Sequence, residues 1–225
     1  MNLLMCLSLV AAFSAERPRN VVVILADDMG WGDLESQGAT GFSTPQLMRL
    51  ASEGTRFLSG YVPQAVCTPS RAALLTGCYP MRLGLGQRVL FPYSTHGLNP
   101  LEETLAESLG QRGYKTACIG KWHLGLDDDY PELKWHAMNR GFDECYKFMG
   151  RGGHSYFDLR SDSEGKFAHP IYRDKQRIND QGYLTNRLTQ EAVAFIERNK
   201  TQPFFLYLAY NAVHAPAEAP QQDIA

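Results

Sequence analysis

The chain has 225 residues, a formal net charge of −2, and 44% hydrophobic and 20% charged residues. That length can bury a sizeable core, and those fractions are ordinary for a globular protein. The near-neutral balance, with no basic run, excludes an electrostatic nucleic-acid footprint, and no segment is long enough to cross a bilayer as a helix.

Residues 1–15 form an apolar stretch ending in Ala11, Ala12, Ser14 and Ala15, ahead of Glu16-Arg17-Pro18. The pattern predicts a short secretory signal peptide and hence an exported protein, although no Lys or Arg precedes the apolar core. A buried N-terminal helix or strand is the alternative. Five cysteines are present. Setting aside Cys6 and Cys67 leaves Cys78, Cys118 and Cys145, so at most one intrachain disulfide is expected rather than a disulfide framework.

Asn20 to Ala26 is a continuous β-branched apolar run, which predicts a strand buried on both faces. It stops at Asp27-Asp28-Met29-Gly30. Paired carboxylates at a strand end either cap a turn or offer hard oxygen ligands to Ca²⁺ or Mg²⁺. Thr44-Pro45 opens a predicted helix with Leu47, Leu50 and Ala51 on its core face and Gly54 at its end. Arg56 to Val62 reads as a strand.

The run Cys67-Thr68-Pro69-Ser70-Arg71 then starts a helix that Thr68 can cap, Pro69 can open and Gly77 can stop. Cys67 is placed just before the helix N-terminus, where free amides favour negative charge, and Arg71 follows one turn later on the same face. Two readings stand side by side: an anion site, or a small buried cysteine with Cys78 as a disulfide partner.

Asn99-Pro100-Leu101-Glu102 has the form of a capping box, with Leu101, Leu105 and Leu109 down one helical face and Gly113 as the stop. Tyr114 to Ile119 predicts a strand that delivers Gly120-Lys121-Trp122-His123. In extended backbone Lys121 and His123 would project together. The region from Asp127 to Asp180 has little periodicity; its Gly152-Gly153-His154-Ser155 is read as a surface loop, with a pocket-lining role for His154 or Ser155 as the alternative. Thr185 to Asn199 is an amphipathic helix with Leu188, Ala192, Phe195 and Ile196 inward, and Pro203 to Tyr210 a buried strand leading to Asn211-Ala212-Val213-His214-Ala215-Pro216. Strands alternating with helices, with candidate residues after strands or at a helix start, predict an α/β fold with a largely parallel or mixed sheet.

The run from Cys67 to Gly77 resembles the sulfatase signature C-x-P-S-R-x-x-L-L-T-G at every position, and Gly113 to His123 resembles the second signature of that family. Asp27-Asp28 after the first strand is similar to the family's metal site. The resemblance runs from Asn20 to about Pro216 and implies an alkaline-phosphatase-like α/β/α sandwich, truncated before its C-terminal part: residues 16–225 would be the incomplete N-terminal part of a sulfatase catalytic domain.

The resemblance further implies that a formylglycine-generating enzyme oxidises Cys67 to an aldehyde, and that the chain hydrolyses sulfate esters of small molecules or glycans. Asp27, Asp28 and modified Cys67 would bind Ca²⁺, with Mg²⁺ second. Arg71 and Lys121 would neutralise sulfate oxygens, His123 would take a proton, and His214 would contact sulfate or protonate the leaving oxygen. A noncatalytic module binding sulfated glycans, and a phosphatase or phosphodiesterase of the same superfamily, are the alternatives.

Overall fold

A computed structural model describes residues 18–91, 94–125, 134–149, 153–160 and 169–224. The leader predicted over residues 1–15, with Cys6, and Gly152 lie outside the described residues. Ten regular elements follow in chain order: β1 (Val21–Leu25), α1 (Pro45–Glu53), α2 (Cys67–Thr76), α3 (Leu105–Gly110), β2 (Lys115–Lys121), β3 (Glu144–Phe148), β4 (Ile171–Arg173), β5 (Gln176–Ile178), α4 (Leu184–Asn199) and β6 (Phe204–Ala209). The sheet order is β1-β6-β2-β3-β4-β5; the first four of these strands run parallel, and β4 and β5 are antiparallel additions. This is the mixed, mostly parallel α/β arrangement expected from the alternation of elements.

The alternating side chains of β6 divide the core. Phe205, Tyr207 and Ala209 face one apolar cluster with Ala72 and Leu75 of α2, Ala106 of α3, and Trp122 and Phe142. Phe204, Leu206 and Leu208 face the other, with Leu184, Leu188, Ala192 and Phe195 of α4. Helices therefore cover both faces, and each large side chain buried in this way contributes about 1.5–3 kcal/mol.

Four local expectations differ from the structure. β1 is an outer strand: Val21, Val23 and Leu25 pack on the first cluster, whereas Val22 is 43% and Ile24 60% exposed, because α4 lies over β2 and β6 and not over β1. The Leu47–Leu50 face of α1 is also exposed, and α1 contains no buried residue. Residues 56–62 form no strand and are exposed throughout. The capping box is Thr104–Glu107, five residues beyond Asn99: the Thr104 hydroxyl accepts from the Glu107 amide (3.1 Å) and the Glu107 carboxylate from the Thr104 amide (2.7 Å). Asn99 Oδ1 instead accepts from the Leu101 amide, an Asx turn, and Leu101 is exposed.

Candidate active site

Because β1, β6 and β2 are parallel, their C-terminal ends open on the same side of the sheet, where α/β folds hold ligands. Asp27 and Asp28 follow β1, Lys121 closes β2, and His214 follows β6. The N-terminus of α2 meets them. Val66 is its N-cap, so Cys67 is the first residue of the helix rather than the residue before it, and Gly77 ends it in a left-handed conformation. Cys67 and Cys78 stand at opposite ends of this helix, roughly 16 Å apart at 1.5 Å per residue. Both are free thiols, as are Cys118 and Cys145, so the disulfide reading of Cys67 does not hold.

Asp27 is buried between two cations: Oδ1 accepts from Arg71 Nη2 at 2.9 Å, and Oδ2 from Lys121 Nζ at 2.5 Å. Burial alone would raise the Asp27 pKa, but Arg71 and Lys121 outweigh it and hold the carboxyl below its usual range. Arg71 is itself fixed from behind. Its Nη1 donates to the Lys121 carbonyl (2.9 Å) and to the Tyr207 hydroxyl (3.1 Å). Lys121 Nζ lies 3.6 Å from Cys67 Sγ, and Asp28 Oδ1 lies 3.9 Å from the same sulfur. Among the buried groups two cations face one carboxylate, which leaves a positive excess beside Cys67; Asp28, the second carboxylate there, is half exposed and screened by solvent. Together with the helix N-terminus, that excess is chemically an oxyanion site.

The thiol itself is not activated. Burial pushes the Cys67 pKa up, Lys121 and Arg71 pull it down by less, and the result stays above the ordinary thiol value. An unmodified Cys67 therefore remains protonated at neutral pH and is a weak nucleophile.

Among the described residues, Asp27, Cys67 and His214 bring one potential ligand atom each within 4.8 Å of one another. This differs from the expected Asp27, Asp28 and Cys67 set by bringing in His214, while partly exposed Asp28 contacts both Cys67 and His214, the latter at 3.4 Å from Nε2. The two carboxylates fit a hard cation such as Ca²⁺ or Mg²⁺; thiol sulfur does not, and would join them only after replacement by oxygen.

His123 does not follow the extended geometry expected of it: its φ is 57°. It is nonetheless buried against the site. Burial and the nearby Lys121 and Arg71 charges push its pKa down to about 3, so its ring is neutral at physiological pH. His154 is fully buried rather than on a surface loop, its ring nitrogens 2.6 Å from the Ser155 carbonyl and 2.7 Å from the His169 carbonyl. Ser155 Oγ lies 3.4 Å from Glu218, so both residues brace the loop before the site. Sequence reasoning missed Tyr207, which the period-2 alternation of β6 already placed on the same face as the Arg71 side of the sheet. Thr68, expected to cap α2, does not: the cap is Val66 with no side-chain bond, and the Thr68 hydroxyl is turned to the His123 carbonyl and the Leu90 amide. Sequence reasoning also missed Leu90, whose carbonyl meets the His123 ring.

The sulfatase family profile matches residues 19–225. Among curated relatives, an arylsulfatase of Hemicentrotus pulcherrimus is 39% identical over 210 residues, covering 87% of this chain and 37% of that protein. The N-acetylgalactosamine-6-sulfatase of Mus musculus is 37% identical over 240 residues, covering 97% of this chain and 44% of that protein. Among solved structures, Ps i-CgsB in complex with k-i-k-neocarrahexaose superposes with a TM-score of 0.83 at 35% identity, over 91% of this chain and 47% of that one. A phosphonate monoester hydrolase of Agrobacterium radiobacter shares the fold with a TM-score of 0.61 at 19% identity, over 91% of this chain and 43% of that one. The chain thus spans less than half the length of these relatives. The fold is of the alkaline-phosphatase superfamily type, and with the profile spanning the described structure the chain belongs to the sulfatase family.

Proposed function

We propose that the protein to which these residues belong hydrolyses sulfate esters, using formylglycine made from Cys67 by a formylglycine-generating enzyme. The observation that carries this is the setting of Cys67: a protonated, unactivated thiol at a helix N-terminus, 3.6 Å from a buried lysine that shares Asp27 with Arg71. The surroundings are built for an oxyanion while the sulfur is a poor nucleophile, so the site makes chemical sense once residue 67 carries oxygen. In its hydrated form an aldehyde there supplies two hydroxyls on one carbon, one to attack sulfur and one to expel the sulfate.

The chain's own groups then take these parts. Arg71 and Lys121 neutralise the ester's non-bridging oxygens, as a guanidinium and an ammonium do for oxyanions. Neutral His123 accepts a proton, and His214, at the rim beside Asp28, protonates the departing oxygen or holds the sulfate. Asp27 and Asp28 would hold the cation, Ca²⁺ in preference to Mg²⁺; once bound, it supplies positive charge toward the attacking and leaving oxygens.

Sulfated glycans are the proposed substrate class. Support comes from the names of the relatives, among them an N-acetylgalactosamine-6-sulfatase and a structure of BT4656 in complex with its substrate D-glucosamine-2-N, 6-O-disulfate. Export is the matching proposal for location, resting on the composition of residues 1–15. Cys67→Ala in the full-length protein is expected to abolish aryl sulfate hydrolysis while leaving the fold intact. Parallel assays with sulfate and phosphate aryl esters test the reaction class: preference for the phosphate ester would overturn the proposal in favour of a phosphatase.

A further inference from the structure

Thr68, Leu90 and His123 close a ring of three buried hydrogen bonds in the wall of the site. The Thr68 hydroxyl donates to the His123 carbonyl at 3.0 Å and accepts from the Leu90 amide at 3.1 Å. The Leu90 carbonyl meets His123 Nε2 at 3.0 Å. A carbonyl can only accept, so Nε2 carries the ring proton, and a neutral imidazole then keeps its lone pair on Nδ1. Among the described residues Nδ1 is buried and has no hydrogen-bond partner.

The backbone of His123 needs holding. Its φ of 57° lies in the left-handed region, which residues with a Cβ disfavour, and it stands two residues beyond Lys121, the end of β2. Thr68 is fully buried and bonds both to the backbone of His123 and to the residue that fixes its ring. Thr68 is also the direct neighbour of Cys67 at the start of α2. One hydroxyl therefore ties the reacting position, the ring and the loop at Leu90 into one unit.

We propose that Thr68 is a positioning residue: its hydroxyl fixes both the place and the tautomer of His123, so that Nδ1 is the proton-accepting atom of the site. The inference rests on the reading of His123 as a proton acceptor given above. Valine at position 68 would match the shape of threonine but leave the Leu90 amide and the His123 carbonyl unpaired in the interior. Serine would preserve both bonds.

The test combines long-range nitrogen–proton NMR of the histidine rings with steady-state hydrolysis of an aryl sulfate, for the unmodified sequence, Thr68→Val and Thr68→Ser. Mass spectrometry of the residue 67 peptide corrects each rate for the fraction converted to the aldehyde. His123 is expected as a single neutral tautomer with its proton on Nε2, and Thr68→Val is expected to lose that pattern. In Thr68→Val, kcat falls about tenfold with KM changed by less than about threefold, and Thr68→Ser recovers both tautomer and kcat.

A proton on Nδ1 in the unsubstituted protein overturns the proposal whatever the variants do. So does a Thr68→Val protein whose His123 tautomer is unchanged. If the tautomer responds as expected but hydrolysis survives in both Thr68→Val and His123→Ala, Thr68 does hold the ring and the reading of His123 as a base is what falls.

Discussion

Asp27 is the residue on which the charges of the site balance. It separates Arg71 and Lys121, which are 1% and 0% exposed, and neither has another carboxylate among its described contacts. Removing one member of a buried charge group leaves an uncompensated ion in the interior, at a cost of about 3–5 kcal/mol. Asp27→Asn is therefore expected to lower the unfolding free energy obtained from urea titration by that amount, and Asp28→Asn, whose side chain is half exposed, to change it little. Equal effects of the two substitutions would contradict the assignment. Acid sensitivity also belongs to single residues. His123 and His136 are each pushed by burial from an ordinary 6.5 down to about 3. Below 6.5 the unfolded chain takes up protons that the native imidazoles refuse, so stability is full above that pH and is lost as pH falls through about 3. The loss is expected to begin between pH 6.5 and 5, before most carboxylates titrate, and urea midpoints measured across that range check it.

Single elements show where sequence reading succeeds and where it stops. The strands and helix that carry Asp27, Cys67, Arg71 and Lys121 were legible because each is fixed by local pattern: an apolar run ending in Asp-Asp, a proline-opened helix, and an apolar strand that runs on through Gly120-Lys121. Partners distant in sequence were not legible. Tyr207 behind Arg71 and Leu90 behind His123 are brought in by packing, which no local window contains. Packing also explains the misplaced elements. Residues 56–62 have strand-like side chains but no neighbouring strand to pair with, and β1 has the composition of a central strand yet lies at the sheet margin. His154 was misplaced for the same reason: Gly153 lets its loop press against the His214 turn. Gly153 has a φ of 99°, and a Cβ there would stand 2.3 Å from the Ala215 carbonyl oxygen and 2.6 Å from His214 Nδ1. Gly153→Ala is therefore expected to displace His214, costing about 1–3 kcal/mol and most of the hydrolytic rate. Unchanged kinetics would show that this contact does not place His214.

Across the molecule, the two-sided core and the parallel strand ends explain why residues from positions 27, 67, 71, 121 and 214 come together on one side of the sheet. The same view shows an apolar margin. Val22 and Ile24 on β1, Leu50 on α1, and Phe57, Leu58 and Tyr61 are all exposed, the last at 90%. An outer strand of sequence Val-Val-Val-Ile-Leu, with no charge along it, is prone to edge pairing. Ile24→Lys is expected to reduce concentration-dependent association of the chain, read by sedimentation velocity, without lowering its thermal midpoint. A lower midpoint would mean that Ile24 is buried in the working protein.

In the proposed function, oxygen in place of sulfur at residue 67 makes this site catalytic. This is tested most directly by following aryl sulfate turnover in preparations of the full-length protein whose residue 67 has been converted to different extents, each fraction measured by peptide mass spectrometry. Turnover is expected to rise in proportion to the aldehyde fraction and to extrapolate to zero for the intact thiol; undiminished turnover by a preparation in which residue 67 is still entirely cysteine would overturn the role proposed for that residue.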